Sequence, residues 1–392
     1  MRLRVMLCLL FLLFANTNWA FGNQQALSLL PNYEVHMDWD FASHSVEVVQ
    51  KASWTNHSNS PINKIQLNAH ARYIVPAKDV AIMAKTLEIL RMTPSDSLGS
   101  NRSALELKKL FVITINGEKK ESSYSFTGQT NTTLEIPLER TLLPQEKIEL
   151  ELHFRMILPE KQGRWGYWKD VHFLVNWLPV FAYHDRKWNP TSQDPNQGWT
   201  ATPFIPWHQP FHNEAGNYKV TLNIPEEMQV ASTGHKIAEK QGHAGRKVLT
   251  LEALGVRDFA IICSKKFKEH VSEVNIPGRD TPLKIRVMAL EEHDFYAQKI
   301  AGIVRECMVV YSQWFGPYPY REFTIAESYF GWNGNECGSM VMVDERIFSM
   351  PEFAHKYAEY LISHEVCHQW WYNLVGTDGY RETWMDEALA TH

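Results

Sequence analysis

His364-Glu365-Val366-Cys367-His368 is followed, after eighteen intervening residues, by Glu387. On a helix, positions i and i+4 lie about 40° apart around the axis, so His364 and His368 form one edge that can face a metal. Glu365 falls roughly 80° round from the middle of that edge, beside a bound metal and not beneath it. Two imidazoles and a distant carboxylate make a three-ligand zinc site with one open position, the arrangement of a catalytic site. Zinc acidifies a water at that open position, and Glu365 is placed to take the water's proton. The chemistry implied is metal-assisted hydrolysis, and the motif is the one that peptidases use for it.

A chain with 17 histidines meets His-Glu-x-x-His by chance a few times in about a hundred, so the surroundings must decide. The competing picture is a buried helix whose histidines are satisfied in the core. Phe353 to Val375 contains no Gly or Pro and reads as one long helix closed by Gly376. A second helical stretch, Tyr380 to His392, then carries Glu387 back towards the first. Cys367 falls on the flank opposite Glu365 and reads as a small packed hydrophobe, not a thiolate ligand.

At these residues the chain resembles the aminopeptidase-N-like zinc metallopeptidases of the gluzincin group. Asn373-Leu374-Val375 and Trp384-Met385-Asp386-Glu387 are similar to the family's Asn-Leu-Val and Trp-Leu-Asn-Glu segments at the same spacing. Upstream, Tyr311 to Pro319 resembles the segment leading into the family's catalytic domain. Val256 to Ala260 resembles the end of its N-terminal domain, and Asn176 to Pro179 and Ala215 to Gly234 resemble segments within it. The resemblance covers the mature chain and is strongest over its last eighty or so residues. It implies His364, His368 and Glu387 as ligands of one zinc ion per chain and Glu365 as general base. It also implies a thermolysin-like α/β catalytic domain behind an N-terminal β domain.

One family element is altered. Members that trim N-termini carry Gly-x-Met-Glu-Asn on an edge strand, whose glutamate grips the substrate's free ammonium. The same register here reads Asn333-Gly334-Asn335-Glu336-Cys337. Glu336 keeps its place, nine residues before Glu345, but the Gly, Met and Asn of the pattern are gone. A carboxylate facing a cleft can anchor an ammonium by a charge-assisted hydrogen bond. A solvated loop carboxylate is the plain alternative.

The N-terminus sets the expected compartment. Arg2 and Arg4 precede an apolar run, Val5 to Ala15, and Ala20-Phe21-Gly22 closes the segment. That is the grammar of a signal peptide cleaved near residue 22, and eleven apolar residues are too few to span a bilayer. The expectation is an exported protein, periplasmic or extracellular, without a membrane span in the mature chain. Removing the leader takes away two arginines and no acid, moving the net charge from −5 to −7. No basic footprint for nucleic acid results. Cys263, Cys307, Cys337 and Cys367 lack the spacing of a zinc ribbon and are too few for a disulfide scaffold, though one bridge is open to them. Asn56, Asn101 and Asn131 head glycosylation sequons that matter only in a eukaryotic host.

The elements that must position the site divide by period. Tyr33 to Phe41, Ile148 to Met156 and Tyr218 to Ile224 alternate apolar and polar residues, as half-buried antiparallel strands do. Lys78 to Arg102 is less regular and reads as an excursion. From Tyr296 to Trp314 apolar residues follow helical spacing, closed by Gly316-Pro317. The expected organisation is multidomain α+β: a β-rich domain over 23–264, then the start of a zinc peptidase domain over 265–392. Trp165, Trp168, Trp177, Trp188, Trp199 and Trp207 read first as pins for long loops, with a cleft wall as the alternative. His172, His184, His208 and His212 share that region without ligand spacing.

The leading expectation is a zinc aminopeptidase acting on peptides. A zinc endopeptidase or other amide hydrolase follows, because the Glu336 strand is degenerate. A non-catalytic peptide-binding scaffold comes last, since a scaffold has no need of Glu365. The chain stops at His392 within the expected helix, so an incomplete catalytic domain and an unassigned oxyanion donor are expected too. Oligomeric state and side-chain preference are not legible.

Overall fold

The structure is a computed structural model and describes residues 26–392 apart from 90–91, 100–101, 115, 192–193, 205–211 and 332. The expected leader, Asn101, Trp207 and His208 lie outside the described residues. No helix among the described residues is long and apolar enough to cross a membrane.

Alternation becomes architecture at once in the first half of the chain. Asn32–Asp40 buries every second residue, and Tyr33, Val35, Met37 and Trp39 all enter one core, as a strand with one solvated face must. This strand sits inside an eight-stranded sheet whose central neighbours are Gly216–Pro225, Ser45–Thr55 and Lys147–Ile157. The sheet is antiparallel except that Asn32–Asp40 runs parallel to Gly216–Pro225. The irregular stretch after Lys78 forms two short helices, Val80–Ile89 and Pro94–Leu98. Trp165, Trp177 and Trp199 are buried in the same core, in keeping with loops pinned by large side chains.

A second sheet carries the site. It has five strands in the order Phe267–Val274, Leu283–Leu290, Glu322–Ser328, Met340–Asp344 and Gly334–Cys337. Its middle strands pair in parallel, and Gly334–Cys337 closes the edge antiparallel to Met340–Asp344. Both faces are covered. Leu283, Ile285, Val287, Phe323, Ile325, Val341 and Val343 pack beneath helices Asp294–Phe315 and His355–Cys367. Met288, Leu290, Ala326, Met340 and Met342 pack against Ala260 and against Phe173 and Ile262 of a small four-stranded sheet. Burial on both faces explains why Met340-Val341-Met342-Val343 is an unbroken apolar run.

Two expected elements are shorter than read. The helix expected over Phe353 to Val375 is a 3-10 turn at Glu352–Ala354 and an α-helix at His355–Cys367. Beyond His368 the chain turns back on itself, with Tyr372 at φ 101° and its carbonyl accepting from Arg257 Nε at 2.5 Å. Gly376 is not the helix cap: a side chain there would run into the Arg257 guanidinium. The stretch expected over Tyr380 to His392 is helical only at Thr383–Met385 and Glu387–Thr391. Local sequence carried no stop signal, and the segment after the helix is held by Arg257, which follows strand Arg246–Val256.

Candidate active site

Helix His355–Cys367 buries Ala358, Leu361, Ile362 and Val366 against the five-stranded sheet. That fixes which way its last turn points. His364 and His368 emerge together, their Nε2 atoms 3.1 Å apart and their rings nearly perpendicular. Glu387 Oε2 lies 3.2 Å from His364 Nε2 and 3.7 Å from His368 Nε2. A tetrahedral zinc with ligand bonds of about 2.0–2.1 Å separates its donors by about 3.3 Å. Three donors at 3.1, 3.2 and 3.7 Å therefore fit one face of such a tetrahedron.

The atoms behind the donors fit as well. Asp386 is fully buried, with Oδ1 2.7 Å from His368 Nδ1, and the Trp371 carbonyl lies 3.2 Å from the same nitrogen. The Trp371 carbonyl accepts the Nδ1 proton and the Asp386 carboxylate stands against the same nitrogen, leaving Nε2 towards the other donors, as for a metal-ligating histidine. Thr391 Oγ1 lies 3.3 Å from His364 Nδ1. Hydrogen bonds from His364 and His368 hold the Glu387 carboxyl far below its usual range. Burial pulls His368 down, but Asp386 and Glu387 win and raise it well above an ordinary imidazole.

Glu365 is 5% exposed, and its Oε2 has no hydrogen-bond partner. Its other oxygen lies against the edge strand, where a side chain at Gly334 would collide with it. Burial, then the neighbouring Glu336, raise its pKa well above the ordinary value. Glu336 is raised by burial too, with His368 pulling the other way. Glu336, Glu365 and His368 present ligand atoms that all lie within 4.8 Å of one another. All five sequence-predicted residues thus meet in one cleft of about 290 Å³, which Arg164, Phe330 and Tyr360 also line.

The hairpin bearing Glu336 is pinned by residues that sequence reasoning passed over. Gln369 Oε1 accepts from Ser339 N at 2.9 Å, and its Nε2 donates to the Cys337 carbonyl at 3.0 Å. Asp258 Oδ1 accepts from Gly338 N at 3.2 Å, and burial pushes this carboxyl up to about 6. Arg164 donates to Asn335 Oδ1 at 2.8 Å and Asn176 Oδ1 at 2.9 Å, and Asn335 Nδ2 donates to Glu336 Oε2 at 3.1 Å. Asp386 had a signal, an acid beside the expected ligand. Gln369 and Arg164 had none, because their partners are distant in sequence.

Other candidates fall away. His172 pairs with His44 at 2.9 Å, His184 with the Gln197 carbonyl at 2.9 Å, and His212 with the Thr377 carbonyl at 3.4 Å. Cys263, Cys307, Cys337 and Cys367 are free thiols, and Cys367 is packed as expected. Asn56 is fully buried, donating to the Ser60 and Leu142 carbonyls, so that sequon is closed to modification in the folded chain.

No family model matches the sequence, and no curated protein does. Solved structures share its fold. An M1 zinc metallopeptidase mutant from Deinococcus radiodurans superposes with a TM-score of 0.55 at 15% identity, over 92% of this chain and 68% of that one. A two-domain M1 zinc metallopeptidase mutant bound to L-arginine gives the same four values. The same kind of mutant bound to L-tryptophan gives 0.54, 15%, 92% and 68%. The chain has the fold of M1 zinc metallopeptidases.

Proposed function

We propose that this chain is an exported zinc peptidase that removes N-terminal residues from peptides. His364, His368 and Glu387 hold one zinc ion, and residues 265–392 belong to a thermolysin-like catalytic domain behind a β domain at 23–264. One observation carries the reading: three donors at tetrahedral spacing stand beside a buried, partnerless carboxylate oxygen on Glu365. The fold neighbours support it, being zinc metallopeptidases by description, two of them with a free amino acid bound.

Zinc at the three donors would supply Lewis acidity at the scissile carbonyl and an acidified water. The residues do the rest. Glu365 accepts the proton of the attacking water at its free carboxylate oxygen and returns it to the departing amine. Asp386 fixes the tautomer of His368. Glu336 accepts hydrogen bonds from the substrate's α-ammonium and so sets the cut after the first residue.

The test is direct. Full-length protein freed of metal by a chelator should lose peptide hydrolysis and regain it with about one equivalent of zinc. Hydrolysis indifferent to chelation would overturn the reading. Internal cleavage is the second reading, favoured by the loss of the Gly, Met and Asn around Glu336.

A further inference from the structure

A second cavity adjoins the catalytic cleft. It has a volume of about 40 Å³, and Arg164 and Phe330 line both spaces. Among the described residues its wall contains no Asp or Glu, but three cations: Arg102 at the exposed rim, Lys161 and Arg164. Arg164 is 6% exposed, lies over the Phe330 ring at 5.3 Å, and is tied through Asn335 towards Glu336.

Lys161 is the unusual member. No described residue forms a hydrogen bond or ion pair with its Nζ, which lies over the Trp165 ring at 5.1 Å from the centroid. Its stem packs over Gly99, whose φ is +70° and whose missing side chain leaves the space that the lysine fills. Burial brings its pKa down to about 8. A half-buried ammonium with no anion beside it among the described residues is open to donating a charge-assisted hydrogen bond to one. A space of this size takes a carboxylate or a few waters, since one water needs only about 10–15 Å³ of such volume.

Resting on the aminopeptidase reading above, we infer that this cavity receives the acidic side chain of the substrate's first residue, with Lys161 as its specificity determinant. Arg164 and Phe330 line both the cleft that holds Glu336 and the cavity, so the side chain next to a substrate ammonium at Glu336 would lie against these two residues. A carboxylate passing them meets Lys161. A neutral side chain of the same length leaves the ammonium unpaired, and a basic one is repelled.

Matched amides differing only in their first residue, Glu or Gln, test this with the full chain and with Lys161→Met. The wild type should favour Glu in kcat/KM by at least about tenfold, the range of a hydrogen bond to a charged group. In Lys161→Met that ratio should fall towards one. Being a ratio on one protein, it is insensitive to partial misfolding of the variant. Equal turnover of the Glu and Gln amides by the wild type, or a preference that survives Lys161→Met, overturns the pocket and leaves the peptidase reading standing. Binding provides a readout without turnover. Zinc-loaded wild type should bind L-glutamate at least about tenfold more tightly than L-glutamine by calorimetry, and equal affinities overturn the pocket even if no peptide is cut.

Discussion

Glu336 and Glu365 approach from different elements, an edge strand and the end of a helix, and bring ligand-type oxygens within 4.8 Å of each other and of His368. Two carboxylates so close in a buried site cannot both be comfortably ionised, and each raises the other's affinity for a proton. A cation beside them changes that balance. Zinc at the adjacent donors would make Glu365 a usable base, and an ammonium at Glu336 would neutralise the second charge. The arrangement is strained alone and matched to a metal plus a positively charged substrate end.

Glu365→Gln separates binding from chemistry. The amide keeps the shape beside Gly334 but cannot accept a proton. Zinc content should stay near wild type while kcat falls by at least ~10²-fold, the usual scale for loss of a general base. Wild-type turnover by this variant would remove Glu365 from the mechanism.

Glu387→Gln addresses the metal. Glu387 closes the donor triangle at 3.2 and 3.7 Å from the two imidazoles, and a carboxylate supplies charge that an amide lacks. Zinc retained after dialysis should drop well below one per chain, with the far-ultraviolet circular dichroism of the β domain intact. Undiminished retention, measured by metal analysis, would exclude Glu387 as a ligand.

That His364, His368 and Glu387 would meet was legible in the sequence, because the i, i+4 spacing and the eighteen-residue interval are local properties of one helix and the segment after it. The β-rich first half was legible because Asn32–Asp40 and its neighbours alternate strictly. The end of the metal-binding helix was not. Past Cys367 the chain is held by Arg257, more than a hundred residues earlier, which grips the Tyr372 carbonyl and occupies the space beside Gly376. Gln369 escaped notice, and so did the role of Asp258 within the Val256–Ala260 segment: each acts on backbone of the Glu336 hairpin, which no sequence period reveals.

Glu327 makes a prediction about stability. It is fully buried, accepting from Leu290 N and from His293 Nδ1 at 2.8 Å each, and burial pushes its carboxyl up to about 7. The folded chain therefore holds a proton that the unfolded chain, with an ordinary carboxylate near 4.5, has already released. Its contribution to stability is full below about 4.5 and is lost as pH rises through about 7. Glu327→Gln, which carries no charge at any pH, should flatten this fall. Urea unfolding at pH 5 and pH 7.5 should show the wild type losing up to about 3 kcal/mol relative to the variant. Parallel stability profiles would mean that Glu327 ionises no differently in the folded state.

Exo- versus endo-cleavage turns on Glu336. If its carboxylate grips the free ammonium, acetylating the peptide's N-terminus removes the recognised charge and adds bulk where the cleft should end. Glu336→Ala should damage cleavage of the free-amine peptide by roughly 1.5–3 kcal/mol, the value typical of hydrogen bonds to charged groups. Residual cleavage of the acetylated peptide should change far less, because no ammonium is left to lose. The two peptides and two proteins form a double cycle whose coupling energy isolates the contact. Removing Glu336 also relieves the charge beside Glu365, an effect common to both peptides that cancels in the cycle. Equal turnover of free and acetylated peptides by the wild type would defeat the aminopeptidase reading and promote internal cleavage, while leaving hydrolysis at the His364–His368–Glu387 site untouched.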